Sequence, residues 1–307
     1  MFLGTPAFAV PSLEAVDRLC DRGVLELVAV VTQPDRAGDR GRLSVPAVKQ
    51  RALTFGVPVL QPARIDDPAL GEITRLEPEL LVWAAYGNRI PRALLAAVSG
   101  RAVNVHASLL PRWRGASPVA HAILAGDRET GVSLMEGTAA LDEGPILAQE
   151  RTPIGETETA GELTARLATL GAGVLERALP RYVAGELRGT PQDGSRATLA
   201  PKLTSRDGEL DFARSAEELA RRVRAVTPEP GAGTSFRGER LVVAGASASG
   251  GTPTQHGALE IQDDWPHVAA GAGWLRLDLV RPAGRRTMTG ADWARGLRDV
   301  EGARLPS

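Results

Sequence analysis

The sequence predicts an α/β fold in which a doubly wound, mostly parallel sheet is followed by a small β-barrel domain, and three observations carry that prediction. Short apolar runs at 25–32, 80–86 and 102–106 alternate with helical patterns, and near-continuous apolar runs of this kind are what strands look like when a parallel sheet is covered on both faces. Between 187 and 203 the composition shifts to Gly, Thr, Pro, Gln, Asp and Ser, the signature of a linker. Beyond it, runs at 234–236, 240–246, 257–262 and 273–280 are separated by Gly, Pro and Ser clusters, the pattern of a small barrel. The expected organisation is a first domain over 1–188, a linker over 189–202 and a second domain over 203–307.

Element by element, Pro11 and Ser12 suit the start of a helix over 11–22, and Pro46 likewise opens 46–56. Ser117 and Pro118 open a helix over 118–125 that Gly126 ends. Residues 131–136 are strand-like. The segment 158–187 forms one long helix with Leu163, Leu167, Leu170, Leu175 and Leu179 at roughly helical spacing, and Gly171 and Gly173 weaken its middle. A short helix over 215–226 opens the second domain.

Charge and composition exclude several classes. The 36 Lys+Arg balance 37 Asp+Glu for a net charge of −1, and the balance is even along the chain: 21 basic and 23 acidic residues up to 200, 15 and 14 after it. Neither half is a basic nucleic-acid magnet, so a polyanion must be held by local clusters such as Arg36, Arg40 and Arg42, or Arg281, Arg285 and Arg286. Only Lys49 and Lys202 are lysines, and arginine suits bidentate work on phosphate and carboxylate. One cysteine, Cys20, makes no internal disulfide, and with four histidines it leaves little for a metal cluster. No run approaches the ~18 apolar residues of a membrane span, and the start lacks a signal-peptide pattern, so a cytoplasmic location is expected.

The chemistry concentrates in 102–118. A short strand there sets Asn104 and His106 two residues apart, so an amide and an imidazole project from one face, near the strand end where open α/β sheets bind ligands. Asp142, in a Gly-bounded loop after 131–136, is within reach of the same end. An amide to meet an oxyanion, an imidazole to move a proton and a carboxylate to orient it make an acyl-transfer set without a covalent nucleophile. A locally hydrogen-bonded Asn-x-His pair and a turn-forming Asp fit the same spacing. Ser108 lies too close to His106 along the strand for triad geometry, and no G-x-S-x-G elbow, G-x-G-x-x-G turn or Walker loop is present, which leaves serine hydrolysis, NAD and ATP without support.

These residues carry a resemblance. FLGTPAFAVPSLEAV, VVTQPDRAGDRGRL with VPAVKQRA, VWAAYG, NVHASLLPRWRGASPVAHAILAGDRETGVSLM and LDEGPIL, followed by PKLTSRDGELDF, the Pro-Glu-Pro-Gly segment 228–231 and RPAGRRTMTGADWARG, are similar to the methionyl-tRNA formyltransferase family over nearly the whole chain. The resemblance implies a Rossmann-like formyltransferase fold followed by an OB-type tRNA-binding domain. It also implies transfer of a formyl group from 10-formyltetrahydrofolate to methionyl initiator tRNA, without a metal, by a cytoplasmic enzyme that is expected to be a monomer and has no membrane partner. It makes Asn104, His106 and Asp142 catalytic, and Ser108, Leu109, Leu110 and Pro111 the folate-side loop. Val82, Ala84, Tyr86 and Gly87 flank the pterin, and residues 33–45, with Arg36, Arg40 and Arg42, become the tRNA-contacting loop. Arg281, Arg285 and Arg286 are the expected tRNA contacts of the second domain. The chain departs from the family's usual pattern at Thr138 and Ala140, at Glu143, where a small hydroxyl residue is common, and at Asp39, which adds a negative charge to the basic loop. Two alternatives share the resemblance: N-formyl transfer to another amine, such as an amino sugar nucleotide, and a non-catalytic binder of tRNA or folate. The C-terminal match argues against the first, and the intact Asn104, His106 and Asp142 against the second.

Overall fold

A strand of three residues, β1 (Phe2–Gly4), all of them buried, lies in the interior of the larger sheet with a strand on either side. The computed structural model describes residues 1–37, 43–253 and 255–306. The chain divides into two compact units: Met1–Pro118, Glu129–Pro153 and Thr164–Ala200 in one, Val119–Arg128, Ile154–Leu163 and Pro201–Ser307 in the other.

In the first unit the chain runs from β1 through α1 (Val10–Asp21) to β2 (Val30–Val31) and a small antiparallel pair, β3 (Arg36–Ala37) with β4 (Leu43–Ser44). It continues through α2 (Ala47–Ala52), β5 (Val59–Leu60), α3 (Asp67–Thr74), β6 (Leu81–Ala84), α4 (Arg92–Ala97), β7 (Ala102–His106) and the two-residue β8 (Arg114–Gly115). After α5 (Pro118–Leu124), which from Val119 on belongs to the second unit, come β9 (Glu129–Glu136), β10 (Ile146–Pro153), the long α6 (Ala160–Val183), which belongs to the first unit from Thr164 on, and β11 (Leu199–Ala200), which pairs in parallel with β8. The main sheet has seven strands in the order β5-β2-β1-β6-β7-β9-β10. Its members from β5 to β7 pair in parallel, and β9 joins β7 and β10 antiparallel. The mostly parallel, doubly wound architecture is therefore the expected one.

Local sequence explains most boundaries. The apolar run 25–32 puts Leu27 and Ala29 in the interior, but only Val30–Val31 joins the ladder. Asp66 caps α3 by accepting the Ala69 N–H. The long helix is shorter than the expected 158–187, because Thr159 and Glu162 exchange hydrogen bonds across its first turn and so fix its start. Leu163, Leu167, Leu175 and Leu179 are fully buried as their spacing predicts, while Leu170 is only half-buried. Gly171, expected to be a weak point, is instead a close approach: a Cβ there would lie 2.7 Å from a Val105 methyl of β7 and 3.3 Å from one of Val132 in β9. The helix backbone thus packs directly onto the strand that carries Asn104 and His106.

The second unit holds a six-stranded sheet in the order β12 (Ala232–Phe236), β13 (Glu239–Ser249), β16 (Trp274–Pro282), β15 (Trp265–Ala269) and β14 (Leu259–Gln262), with β17 (Met288–Thr289) on β16, every pairing antiparallel. The register of β13 against β16 slips on both sides of Gly245, a bulge that bends the long strand as an OB-type sheet requires. Helix α7 (Ala216–Ala225), opened by a Ser215–Glu218 capping box, lays Leu219 and Val223 on a core of Phe212, Leu241, Val243, Leu275 and Leu277. The core is closed by α8 (Gly290–Arg295), whose Trp293 meets Phe236 edge to face at 5.2 Å. Among the described residues no helix is long and apolar enough to cross a membrane.

The two glycines of α6 are expected to behave oppositely. Gly171→Ala overpacks the Val105 contact and should cost about 1–3 kcal/mol. Gly173→Ala meets only the end of the flexible Arg177 side chain and should gain up to about 1 kcal/mol of helix propensity. Urea-unfolding midpoints of the two variants check this.

Candidate active site

In a doubly wound sheet the ligand crevice lies at the carboxyl ends of the strands where the winding reverses. Here β1 pairs with β2 on one side and with β6 on the other, so the crevice opens beyond Gly4 and Ala84, with β7 next along. The Thr5 hydroxyl donates to the Tyr86 carbonyl (2.8 Å) and accepts the Gln33 N–H (3.3 Å), tying three strand ends together. Two buried polar atoms at this end, Thr32 Oγ1 and Gln33 Nε2, have no hydrogen-bond partner among the described residues.

Asn104 and His106 lie on β7 with β6 on one side and β9 on the other, and are 5 % and 6 % exposed. Buried polar groups need partners, and these two share one. The Asn104 amide points at Asp142 Oδ1 at 3.4 Å, the long end of a hydrogen bond, and His106 Nδ1 lies 3.7 Å from Asp142 Oδ2. The other imidazole nitrogen, Nε2, is 2.9 Å from the Trp113 carbonyl, which fixes the ring's orientation and assigns Nε2 the proton. Asp142 is itself buried, and the Gly115 N–H donates to its Oδ2 at 2.9 Å. Its backbone is left-handed (φ 52°), as are those of Trp113 (φ 63°) and Ala85 (φ 43°), and strained non-glycine residues of this kind cluster at functional sites.

The segment Ser108–Pro111 is built as firmly. The Ser108 hydroxyl is fully buried and donates to the Arg112 carbonyl (2.6 Å), while Ser133 of β9 donates to the Ser108 carbonyl (2.7 Å) and accepts the Leu110 N–H (3.0 Å). Gln149 of β10 reaches both Ser133 Oγ (2.8 Å) and the Leu110 carbonyl (2.9 Å), and the Leu110–Pro111 peptide is cis. Leu110 is buried; Leu109 and Pro111 are half-buried. Of the residues expected around the pterin, Val82, Ala84 and Tyr86 are buried, and burial pushes the Tyr86 phenol above its ordinary range. Gly87 is exposed just beyond them. Next to it lies a cleft of about 670 Å³ lined by Arg64, Ile65, Asn88, Arg89, Ile90, Pro91, Arg92 and Ala139. Arg64 is distant in sequence from Arg89 and Arg92, and sequence reasoning did not single out any of the three.

Of the basic segment 33–45, Arg36 is exposed on β3, whereas Arg40 and Arg42 lie outside the described residues. The segment's base is fixed by Asp35, which accepts from Lys49 (2.7 Å) and from Gln61 (2.8 Å). These two donors hold its carboxyl below the usual carboxylate range. In the second unit, Arg281 at the end of β16 and Arg285 and Arg286 in the following turn are all exposed. No group of three or more His, Cys, Asp or Glu among the described residues is placed to hold a metal ion.

Sequence reasoning missed the stretch 189–200, which it took for linker. Thr190 pairs with Ile146 of β10, Thr198 Oγ1 accepts the Trp113 N–H (2.9 Å), and Gln192 donates to the Asp142 carbonyl (2.9 Å). Turn-rich composition concealed these residues, and a polar Gln between Pro191 and Asp193 carries no signal that sequence spacing detects.

The chain matches the formyl transferase family over residues 3–179 and the formyl transferase C-terminal domain over 202–298. The methionyl-tRNA formyltransferase of Roseiflexus sp. (strain RS-1) is 46 % identical to it over 309 residues, spanning 99 % of this chain and 94 % of that protein. The chain belongs to the methionyl-tRNA formyltransferase family. A second member, from Myxococcus xanthus (strain DK1622), is 45 % identical over 96 % of this chain and 94 % of its own length. The fold is shared more widely. The N-formyltransferase of Helicobacter canadensis, solved with folinic acid and dTDP-3-aminofucose, superposes with a TM-score of 0.69 over 90 % of this chain and 97 % of that one, at 17 % identity.

Removing the Ser133 hydroxyl leaves a buried carbonyl and a buried N–H without their partner. Ser133→Ala is therefore expected to cost about 1–3 kcal/mol in the urea-unfolding midpoint. It should also increase amide exchange at Leu110.

Proposed function

We propose that this chain transfers the formyl group of 10-formyltetrahydrofolate to the amino group of methionyl initiator tRNA, with residues 1–188 as the catalytic domain and 203–307 as the tRNA-binding domain. The observation that carries the proposal is full-length identity of 46 % to a methionyl-tRNA formyltransferase, joined to a buried Asn104–His106–Asp142 cluster at the crevice of the sheet. The reading makes the protein a monomer working in the cytoplasm, where its acceptor is used.

The chemistry needs a neutral amine to attack the formyl carbon, an oxyanion to be stabilised, and N10 of the folate to leave with a proton. Asn104 Nδ2 is the donor for the developing oxyanion, where a preorganised hydrogen bond counts most. His106, held through Nε2 by Trp113 and facing Asp142 through Nδ1, stabilises the same charge when protonated. Asp142 balances that imidazolium and relays the proton lost by the attacking amine towards the departing N10. The formyl carbon–N10 bond breaks as the new amide bond is completed.

The folate fits the residues at hand. The backbone beyond Ala84, with Gly87 exposed, and the half-buried Leu109 and Pro111 are the residues that would hold the pterin. The Arg64, Arg89 and Arg92 guanidiniums lining the adjacent cleft suit the carboxylates of its glutamyl tail. The unpaired Gln33 Nε2 supplies a donor for a polar substrate atom at the same crevice. Arg36, Arg40 and Arg42, with Arg281, Arg285 and Arg286, supply phosphate contacts, which position a nucleic acid without reading its sequence. The chain's near-neutral charge makes that binding modest and strongly dependent on salt.

The deciding experiment offers labelled 10-formyltetrahydrofolate with methionyl initiator tRNA, free methionine and an amino sugar nucleotide as acceptors. Label on tRNA alone is expected; label only on the sugar nucleotide overturns the acceptor, and binding without product overturns the enzyme. His106→Ala should abolish turnover while folate binding stays within a few-fold, and a near-normal rate removes His106 from the mechanism. Arg42→Ala should reduce the rate mainly at limiting tRNA, leaving the folate KM unchanged. An unchanged rate there retires Arg42 as a tRNA contact.

A further inference from the structure

Asp142 poses a physical problem that its own loop does not solve. It is 8 % exposed, yet its neighbours Thr138, Ala139, Ala140, Leu141 and Glu143 are all exposed, with Leu141 at 64 %. A loop with so little packing has nothing apolar to hold a buried carboxylate on a left-handed backbone, so directional polar contacts must do it.

Those contacts converge on one side chain. Gln192 Nε2 donates to the carbonyls of Asp142 (2.9 Å) and Gly144 (2.8 Å), using both of its hydrogens on the residues that bracket Glu143. Its Oε1 accepts from Nε (3.1 Å) and Nη2 (2.9 Å) of Arg114. The remaining arm of Arg114, Nη1, reaches Glu143 Oε1 at 3.1 Å, so the circuit closes back on the loop. The residue after Arg114 is Gly115, whose N–H binds the Asp142 carboxylate. Gln192 is itself held on both flanks, by the Thr190–Ile146 bridge and by the Arg114 N–H to Thr198 carbonyl bond (2.8 Å). A primary amide is the neutral side chain that gives two donors at one corner and an acceptor at the other. Glutamate in the same place loses the donors and sets a charge against two carbonyls, while Met keeps the bulk and loses every bond.

We propose that Gln192 is the positioning residue of the reaction: it sets the backbone of Asp142, through Arg114 and Glu143, so that the carboxylate faces Asn104 and His106. The proposal deepens the reading above and rests on the role assigned there to Asp142. It also accounts for Glu143 standing where a small hydroxyl residue is common in the family, since a carboxylate there completes the circuit with Arg114.

The test uses the full-length chain with Gln192→Met, Gln192→Glu, Asp142→Ala and the double variant Asp142→Ala/Gln192→Met. In single-turnover and steady-state formyl transfer, each Gln192 variant should lose at least tenfold in kcat with KM for folate and for tRNA within twofold. In the Asp142→Ala background, Gln192→Met should change the residual rate by less than twofold, because the two act as one unit. A merely structural Gln192 gives a different result: a lower unfolding midpoint with kcat per folded molecule unchanged, or an effect that adds fully to that of Asp142→Ala. Either outcome overturns the proposal. Should Asp142→Ala itself retain normal kcat, the catalytic reading falls, whereas an inactive Asp142→Ala beside normal Gln192 variants removes the positioning role alone.

Discussion

The hydrogen bond from the Gly115 N–H to the Asp142 carboxylate is the contact on which the site's geometry depends. It requires residue 115 to run in parallel beside Ala200 with φ +126°, and a Cβ in that position would lie 2.6 Å from the Ala200 carbonyl oxygen. Only glycine meets both demands. The bond thereby joins three stretches far apart in sequence: the end of the loop after β7, the loop between β9 and β10, and the last residues of the first unit. The pairing of β8 with β11 spans only two residues, yet it sets the Gly115 N–H against the carboxylate that faces Asn104 and His106.

Much of this was legible from the chain. The period of a strand forces Asn104 and His106 onto one face, and the burial of parallel strands turns apolar runs into elements of the sheet. What stayed hidden has identifiable causes. Asp142 stands out as a polar residue between glycines, but its left-handed backbone follows from Gly115 and Gln192, which are distant in sequence. The residues 189–200 have the composition of a linker because short bridges and turns draw on the same Gly, Pro, Thr and Gln as a flexible tether. Gly171 looks like a flaw when helix propensity is weighed alone, and becomes a packing surface once Val105 lies against it. Propensity is local, and each of these facts is made by a partner elsewhere in the chain.

The fold does not choose the amine. An N-formyltransferase solved with folinic acid and dTDP-3-aminofucose shares the architecture over 90 % of this chain at 17 % identity, and a shared architecture does not by itself fix a shared substrate. The even charge along the chain supplies no bulk field that would draw a polyanion, which is why the proposed contacts are individual arginines.

The position of β7 inside the sheet, paired with β6 and β9, has a consequence for how such an enzyme is lost. Asn104 and His106 can leave their places only if two ladders open at once, whereas the Asp142 loop is held by a handful of polar bonds at an exposed edge. The site therefore spans two levels of local stability within one folded molecule. Mild heat or denaturant will disperse the carboxylate while the imidazole and amide remain in register. On the catalytic role proposed for Asp142, activity then disappears through a reversible fraying of one loop, before the sheet itself gives way.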